Sequence, residues 1–180
     1  ADLPEVSVSI LVGSPTSKCP WIFKDLADEL EHVVRTLQRS TRRPVFFVTV
    51  SRRTSKKLAQ EVEGWLERSI PHHQRYLYSP TKSDSEPNPY MHMLRGSKIL
   101  VVTADSVSMT SEASSTGKHV IVACRKRVRG KFVKFFDVLE KFCGALPAEK
   151  FSEDILKNWG KSSNENFLDD TRKVAQELFE

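Results

Sequence analysis

The 180 residues predict an α/β fold built on a parallel sheet whose two faces are covered by helices. Short β-branched runs alternate along the chain with helical stripes of apolar residues. Turn-forming Pro, Asn, Ser and Gly separate them. Five strands alternating with helices imply parallel pairing, because each crossover between parallel neighbours needs a helix and is right-handed.

Taken in order, residues 5–12 (EVSVSILV) alternate and then run apolar, as a strand entering a buried sheet would. Gly13-Ser14-Pro15-Thr16-Ser17 ends it. Ile22, Leu26, Leu30, Val33 and Leu37 recur at spacings of three and four, one face of a helix. Residues 45–50 (VFFVTV) form a second buried strand, and Leu58, Val62, Trp65 and Leu66 mark the next helix. Residues 76–78 are a weaker third strand, and the polar, two-proline segment 79–88 is a loop. Asn88 before Pro89 reads as an N-cap before a proline at N1, opening a short helix through Met93 to Arg95 that Gly96 stops. Residues 99–103 are the fourth strand and 106–115 the fourth helix, with Gly117 as its stop. Residues 119–123 form the fifth strand. Helices over 130–142, with Phe132, Phe135, Phe136, Leu139 and Phe142 on the apolar stripe, and over 168–179 complete the pattern.

A chain of this size is expected to be a single domain spanning residues 1–180. No stretch approaches the ~20 apolar residues of a membrane-spanning helix. The opening at Ala1 carries no signal-peptide pattern and suggests a fragment of a longer protein. Cys19, Cys124 and Cys143 are odd in number and lack CxxC spacing, which argues for reduced thiols and against a disulfide framework or zinc site. Adjacent His72 and His73 read as exposed loop, so no metal site is expected.

Charge is unevenly spread around a net of +5. Residues 35–57 hold eight basic residues and no acid, and residues 118–134 hold seven and no acid. Anions are the expected partners of the middle of the chain. The run 125–134 could meet RNA or anionic lipid, or be a solvated face. Nucleic acid ranks last, because no recognisable binding module is present.

In open parallel sheets, ligands bind outside the carboxyl ends of the strands, here the loops after strands one, two and four. The first loop brings backbone close at Gly13 and offers the Ser14 hydroxyl, without a GxGxxG or Walker pattern. It reads equally as a turn. The second, Ser51-Arg52-Arg53-Thr54, follows a strand and opens a helix, joining two guanidinium forks to a helix N-terminus. That suits a phosphate or carboxylate, or else a solvated basic turn. In the third, Thr103, Asp105, Ser106 and Ser108 lie where strand becomes helix, and free amides there suit a diphosphate. Glu112, two turns on, could hold both hydroxyls of a ribose. Asp105 could be an acid, a base or an N-cap.

The stretch Asn88-Pro89-Tyr90, then VVTADSVSMTSEASSTGKHVIV, with SRRT upstream, resembles the mitochondrial fission protein ELM ("elongated mitochondria") family. Residues 130–139 (GKFVKFFDVL) and 167–175 (FLDDTRKVA) resemble its later segments more weakly. Members of that family resemble GT-B glycosyltransferases. The resemblance therefore implies a Rossmann-like parallel sheet of five or six strands, like the carboxyl-terminal half of a GT-B fold. It implies Glu112 as ribose ligand, Ser106 and Ser108 as diphosphate contacts, and Arg52 or Arg53 as charge clamp. Ser55 and His119 stand where the family usually has proline, and no amino-terminal acceptor half is present in this chain. The function so implied is a mitochondrial fission adaptor domain with a nucleotide or nucleotide-sugar pocket, for a UDP- or GDP-linked sugar, non-catalytic in isolation. The alternative is the donor-binding half of an active glycosyltransferase. Implied partners are a dynamin-related GTPase at the mitochondrial outer membrane, the amino-terminal half of the same protein, and an anionic ligand or lipid. The implied location is cytosolic and peripheral on that membrane.

Overall fold

A computed structural model of the chain describes residues 6–80, 87–159 and 177. Six strands, β1 (Ser7–Val12), β2 (Val45–Val50), β3 (Arg75–Tyr78), β4 (Ile99–Thr103), β5 (His119–Ala123) and β6 (Leu146–Pro147), form one all-parallel sheet. Their order is β3-β2-β1-β4-β5-β6. This is the strand order of doubly wound Rossmann sheets, in which the direction of winding reverses between β1 and β4. The helices are α1 (Phe23–Ser40), α2 (Lys56–Ser69), α3 (Tyr90–Gly96), α4 (Val107–Ser114), α5 (Phe132–Cys143) and α6 (Glu153–Trp159).

Burial follows the predicted stripes except at Ile22, which caps α1 and is exposed. Leu26, Leu30, Val33 and Leu37 of α1 and Leu58, Val62, Trp65 and Leu66 of α2 are buried. Each fully buried aliphatic side chain contributes about 1.5–3 kcal/mol of transfer free energy. Right-handed crossovers put α1 and α2 on one face of the sheet and α3, α4 and α5 on the other. Every residue of β4 is buried, as a central strand covered on both faces requires.

Register sets the site. Val12 lies opposite Val50, and Leu11 opposite Val102. The carboxyl ends of β1, β2 and β4 are therefore level, and the loops opened by Gly13, Ser51 and Ala104 emerge side by side.

Several expectations need correction. The strand expected from residue 5 begins at Ser7, and Glu5 lies outside the described residues. Ser51-Arg52-Arg53-Thr54 does not open α2: it closes a turn, with the Thr54 amide donating to the Ser51 carbonyl (3.1 Å), and Ser55 caps the helix through Leu58 N (3.1 Å). Ser55 thus gives a capping oxygen to α2. The expected 130–142 helix starts at Phe132, because Gly130 turns in the left-handed region (φ +66). Its core residues are Phe136, Val138 and Leu139, with Phe132 and Phe135 half-buried against them, while Phe142 packs under the Lys141 ammonium instead. β6 is the sixth strand that the resemblance allows, although periodicity does not place it, and α6 is an element that periodicity does not mark. The helix expected over 168–179 falls, but for Glu177, outside the described residues.

Candidate functional site

Gly13 is held from three sides. Its amide donates to Thr103 Oγ1 (2.8 Å), and its carbonyl accepts from Thr54 Oγ1 (2.7 Å). A Cβ at this position would run into the Asp105 carboxylate. The ends of β1, β2 and β4 are thereby tied to one residue, and only glycine fits there. Asp105 continues the clasp, accepting from Ser14 N (3.0 Å) and from Nε1 of the buried Trp21 (2.8 Å). Burial pushes its carboxyl above the usual range, while hydrogen bonds from Thr103, Trp21 and Ser14 oppose that shift. Asp105 does not cap α4. Ser106 does, through Met109 N (3.2 Å).

Beside this clasp, Thr54 is buried and its hydroxyl is fully engaged, accepting from Ser51 N (3.0 Å) while donating to Gly13. Arg52 and Arg53 are the exposed corner of the turn, and neither makes an ion pair among the described residues. Lys56 and Lys57 then begin α2, whose first turn has no acid. Positive side chains at the positive end of a helix dipole are unfavourable without an anion.

On the other side, α4 starts with Ser106 and the exposed Ser108, their hydroxyls 3.4 Å apart. As at any helix start, the first-turn amides have no intrahelical acceptor. Glu112 is exposed, and its Oε2 accepts from Tyr90 Oη (2.6 Å). Partial burial first, then the hydrogen bond to Glu112 and its charge, raise the Tyr90 phenol above its usual range. Asn88 Oδ1 accepts from Tyr90 N (3.0 Å), so the side chain expected to cap α3 orients Tyr90. Between the ends of β1 and β2, α3 and α4 lies an open depression of about 240 Å³, bounded by Ser51, Arg52, Asn88, Tyr90, Met109 and Glu112.

A family model described as mitochondrial fission ELM1 matches residues 1–180. The chain belongs to this family. It is 30% identical to the mitochondrial fission protein ELM1 of Arabidopsis thaliana over 181 residues, covering 99% of this chain and 39% of that protein. It is 36% identical to the uncharacterized protein RP120 of Rickettsia prowazekii over 133 residues, covering 73% of this chain and 34% of that one. The chain therefore spans less than two fifths of the length of these relatives.

In this ELM-family chain the ten residues singled out from sequence divide into three groups. Arg52 and Glu112 face one depression from opposite sides. Gly13, Ser14, Thr54, Thr103 and Asp105 hydrogen-bond or pack among themselves beneath the loops. Arg53, Ser106 and Ser108 lie at its margins and do not line it. Tyr90 and Met109 line the depression and were missed as site residues. Tyr90 stands in the Asn-Pro-Tyr triplet that carries the resemblance, so a signal was present; Met109 reads as ordinary helix interior.

Other sites are quiet. Cys19 and Cys124 are buried free thiols, and burial pushes Cys19 up to about 12, far from a reactive thiolate. Among the described residues, no group of three or more His, Cys, Asp and Glu is placed to hold a metal ion. Nor is any described helix long and apolar enough to cross a membrane.

Proposed function

We propose that this domain holds a nucleotide or nucleotide-sugar in the depression between β1, β2, α3 and α4, and that it serves mitochondrial fission by binding rather than turnover. The observation that carries this reading is the pairing of Arg52 and Glu112 across one depression, from the ends of β2 and α4, at the reversal point of a Rossmann sheet. A guanidinium suits a diphosphate and a carboxylate suits vicinal ribose hydroxyls. The flat face of Tyr90 and the thioether of Met109 offer apolar contact between them. Ser106, Ser108 and Arg53 are close enough in sequence to these groups to extend the phosphate contacts of a longer ligand. The fission role rests on family membership and the name of the Arabidopsis relative. It calls for a dynamin-related GTPase at the mitochondrial outer membrane as partner and for cytosolic, peripheral residence.

A thermal-shift panel of UDP, GDP and their sugar conjugates tests the pocket. Ligand at about ten times its Kd adds about 1.4 kcal/mol by mass action, roughly 3–6 °C for a domain of this size. Glu112→Ala and Arg52→Ala are each expected to abolish the shift. A panel without any shift removes the reading. The alternative, a donor half of an active glycosyltransferase, predicts in addition that the full-length protein hydrolyses or transfers the sugar of the bound conjugate, whereas the adaptor reading predicts fission rescue by Glu112→Ala protein.

A further inference from the structure

The basic run 118–134 is not uniformly solvated. Lys118 Nζ donates to the carbonyls of Leu94 and Arg95. Arg125 pairs with Asp137 (2.5 Å), Lys126 with Glu29 (3.7 Å) and Arg127 with Asp25 (2.9 Å). Four of its seven cations are thus satisfied by the fold. Arg129, Lys131 and Lys134 are exposed and have no carboxylate partner among the described residues.

A fourth cation joins them from a distant part of the chain. The Arg129 amide donates to the Lys18 carbonyl (2.7 Å), which ties the loop after β1 to the loop after β5. The Lys18 ammonium stands 3.8 Å from where a Cβ on Gly130 would be. Lys18, Arg129 and Lys131 therefore crowd around one glycine, and the first turn of α5 contains no acid to offset them. Like charges gathered in neighbouring segments repel over about a Debye length. The backbone holds them together nonetheless, while neighbouring cations receive carboxylates.

Two exposed apolar side chains lie in the same two segments, Ile22 at the start of α1 and Val133 in the first turn of α5. Ile22 is 61% exposed and Val133 37% exposed, half of the large hydrophobic side chains that the described residues leave in water. Long, exposed cations beside exposed aliphatic groups suit the anionic headgroups and acyl boundary of a bilayer better than a single free phosphate, which needs a concave cradle.

We infer that the paired loops 18–22 and 129–134 form a docking surface for an anionic lipid bilayer. The surface is independent of the nucleotide depression. Lys18, Arg129, Lys131 and Lys134 contact lipid phosphates, and Ile22 and Val133 enter the headgroup layer.

Vesicle co-sedimentation of the full chain tests this, comparing phosphatidylcholine with phosphatidylcholine containing about 30 mol% phosphatidylserine. The chain is expected to sediment with the anionic vesicles and not with the neutral ones. Lys18→Glu with Lys131→Glu is expected to lower that affinity about tenfold or more, at unchanged thermal midpoint, because both side chains are exposed. Lys56→Glu with Lys57→Glu makes the same change in net charge at the start of α2 and is expected to leave most of the binding intact. Ile22→Ser, which alters no charge, is expected to weaken binding several-fold. Equal losses from the two charge-reversed pairs would mean attraction by net charge alone and would overturn the assignment. So would unaltered binding of Ile22→Ser, or tighter binding of a short duplex oligonucleotide than of anionic vesicles at the same salt.

Discussion

Gly13 and Asp105 compete for one small space, and the fold resolves the competition by leaving residue 13 without a side chain. Asp105→Ala would strand two donors, Ser14 N and Trp21 Nε1, at a cost of about 2–4 kcal/mol. Gly13→Ala would force its new methyl against the carboxylate and cost about 1–3 kcal/mol. With Asp105 already shortened to Ala, the same methyl enters vacated space. A double-mutant cycle by urea denaturation is therefore expected to give a coupling of at least about 1 kcal/mol, the double variant being more stable than the sum of the singles predicts. Additive losses would show that the clasp does not rest on this contact. The sequence marks Gly13 as a place of close backbone approach. What approaches is a carboxylate bonded to a residue 91 positions away, and no local pattern reveals that. Asp105 reads from sequence as an acid, a base or a helix cap; the neighbouring Ser106 takes the capping role.

At the scale of elements, strands and helices with their own period were legible, and those defined by tertiary contact were not. α1 and α2 announce themselves by apolar spacing and β4 by five consecutive buried residues. β6 is two residues long and carries Pro147, acceptable because it pairs on one side only with β5. α6 is seven residues long and buries none of them. Ile155 and Leu156 pack half-buried against the core, and its last residue docks by aromatic contact: Trp159 stacks on His119 with ring centroids 4.4 Å apart and planes 8° from parallel, and meets Phe151 at 5.4 Å. His119 is thus a docking platform for α6. Burial lowers its imidazole below the ordinary 6.5, so as pH falls the unfolded chain takes up the proton before the folded one does. Stability follows the difference in bound protons, and this contribution is intact above about pH 6.5 and lost as pH falls below it. Trp159→Ala is expected to cost about 2 kcal/mol at neutral pH and to flatten that acid-side loss, since the imidazole is then open to water. Denaturation of both proteins from about pH 5 to pH 8 checks it, and an unchanged acid slope in Trp159→Ala would place the proton-sensitive contact elsewhere.

For the whole molecule, alternation of strands and helices predicts a parallel sheet, but strand order is a property of topology that periodicity does not encode. The order β3-β2-β1-β4-β5-β6 puts the β1, β2 and β4 loops at one edge and sends the two basic segments to opposite ends of it. Arg52, Arg53, Lys56 and Lys57 stand after β2, and Lys18, Arg129 and Lys131 stand at the β1 and β5 loops. The acids at this edge are engaged, Asp105 in the clasp and Glu112 with Tyr90. Cations without carboxylate partners among the described residues thus stand along the edge where the depression opens, and an anionic ligand arriving there meets a field rather than a single contact. Such a field is screened over about 10 Å at 0.1 M salt and over about 30 Å at 0.01 M. The affinity of UDP is accordingly expected to weaken about three- to tenfold between roughly 0.02 and 0.2 M salt, whereas uridine, which has no phosphate, should bind weakly and independently of salt. Arg53→Ala with Lys57→Ala, which leaves Arg52 in place, should remove most of the salt dependence, and Lys18→Ala with Lys131→Ala, at the far end of the edge, only a small part. Isothermal titration over that range decides it: a salt-independent UDP affinity, or equal effects from the near and far pairs, would mean that the charge at this edge serves something other than the depression.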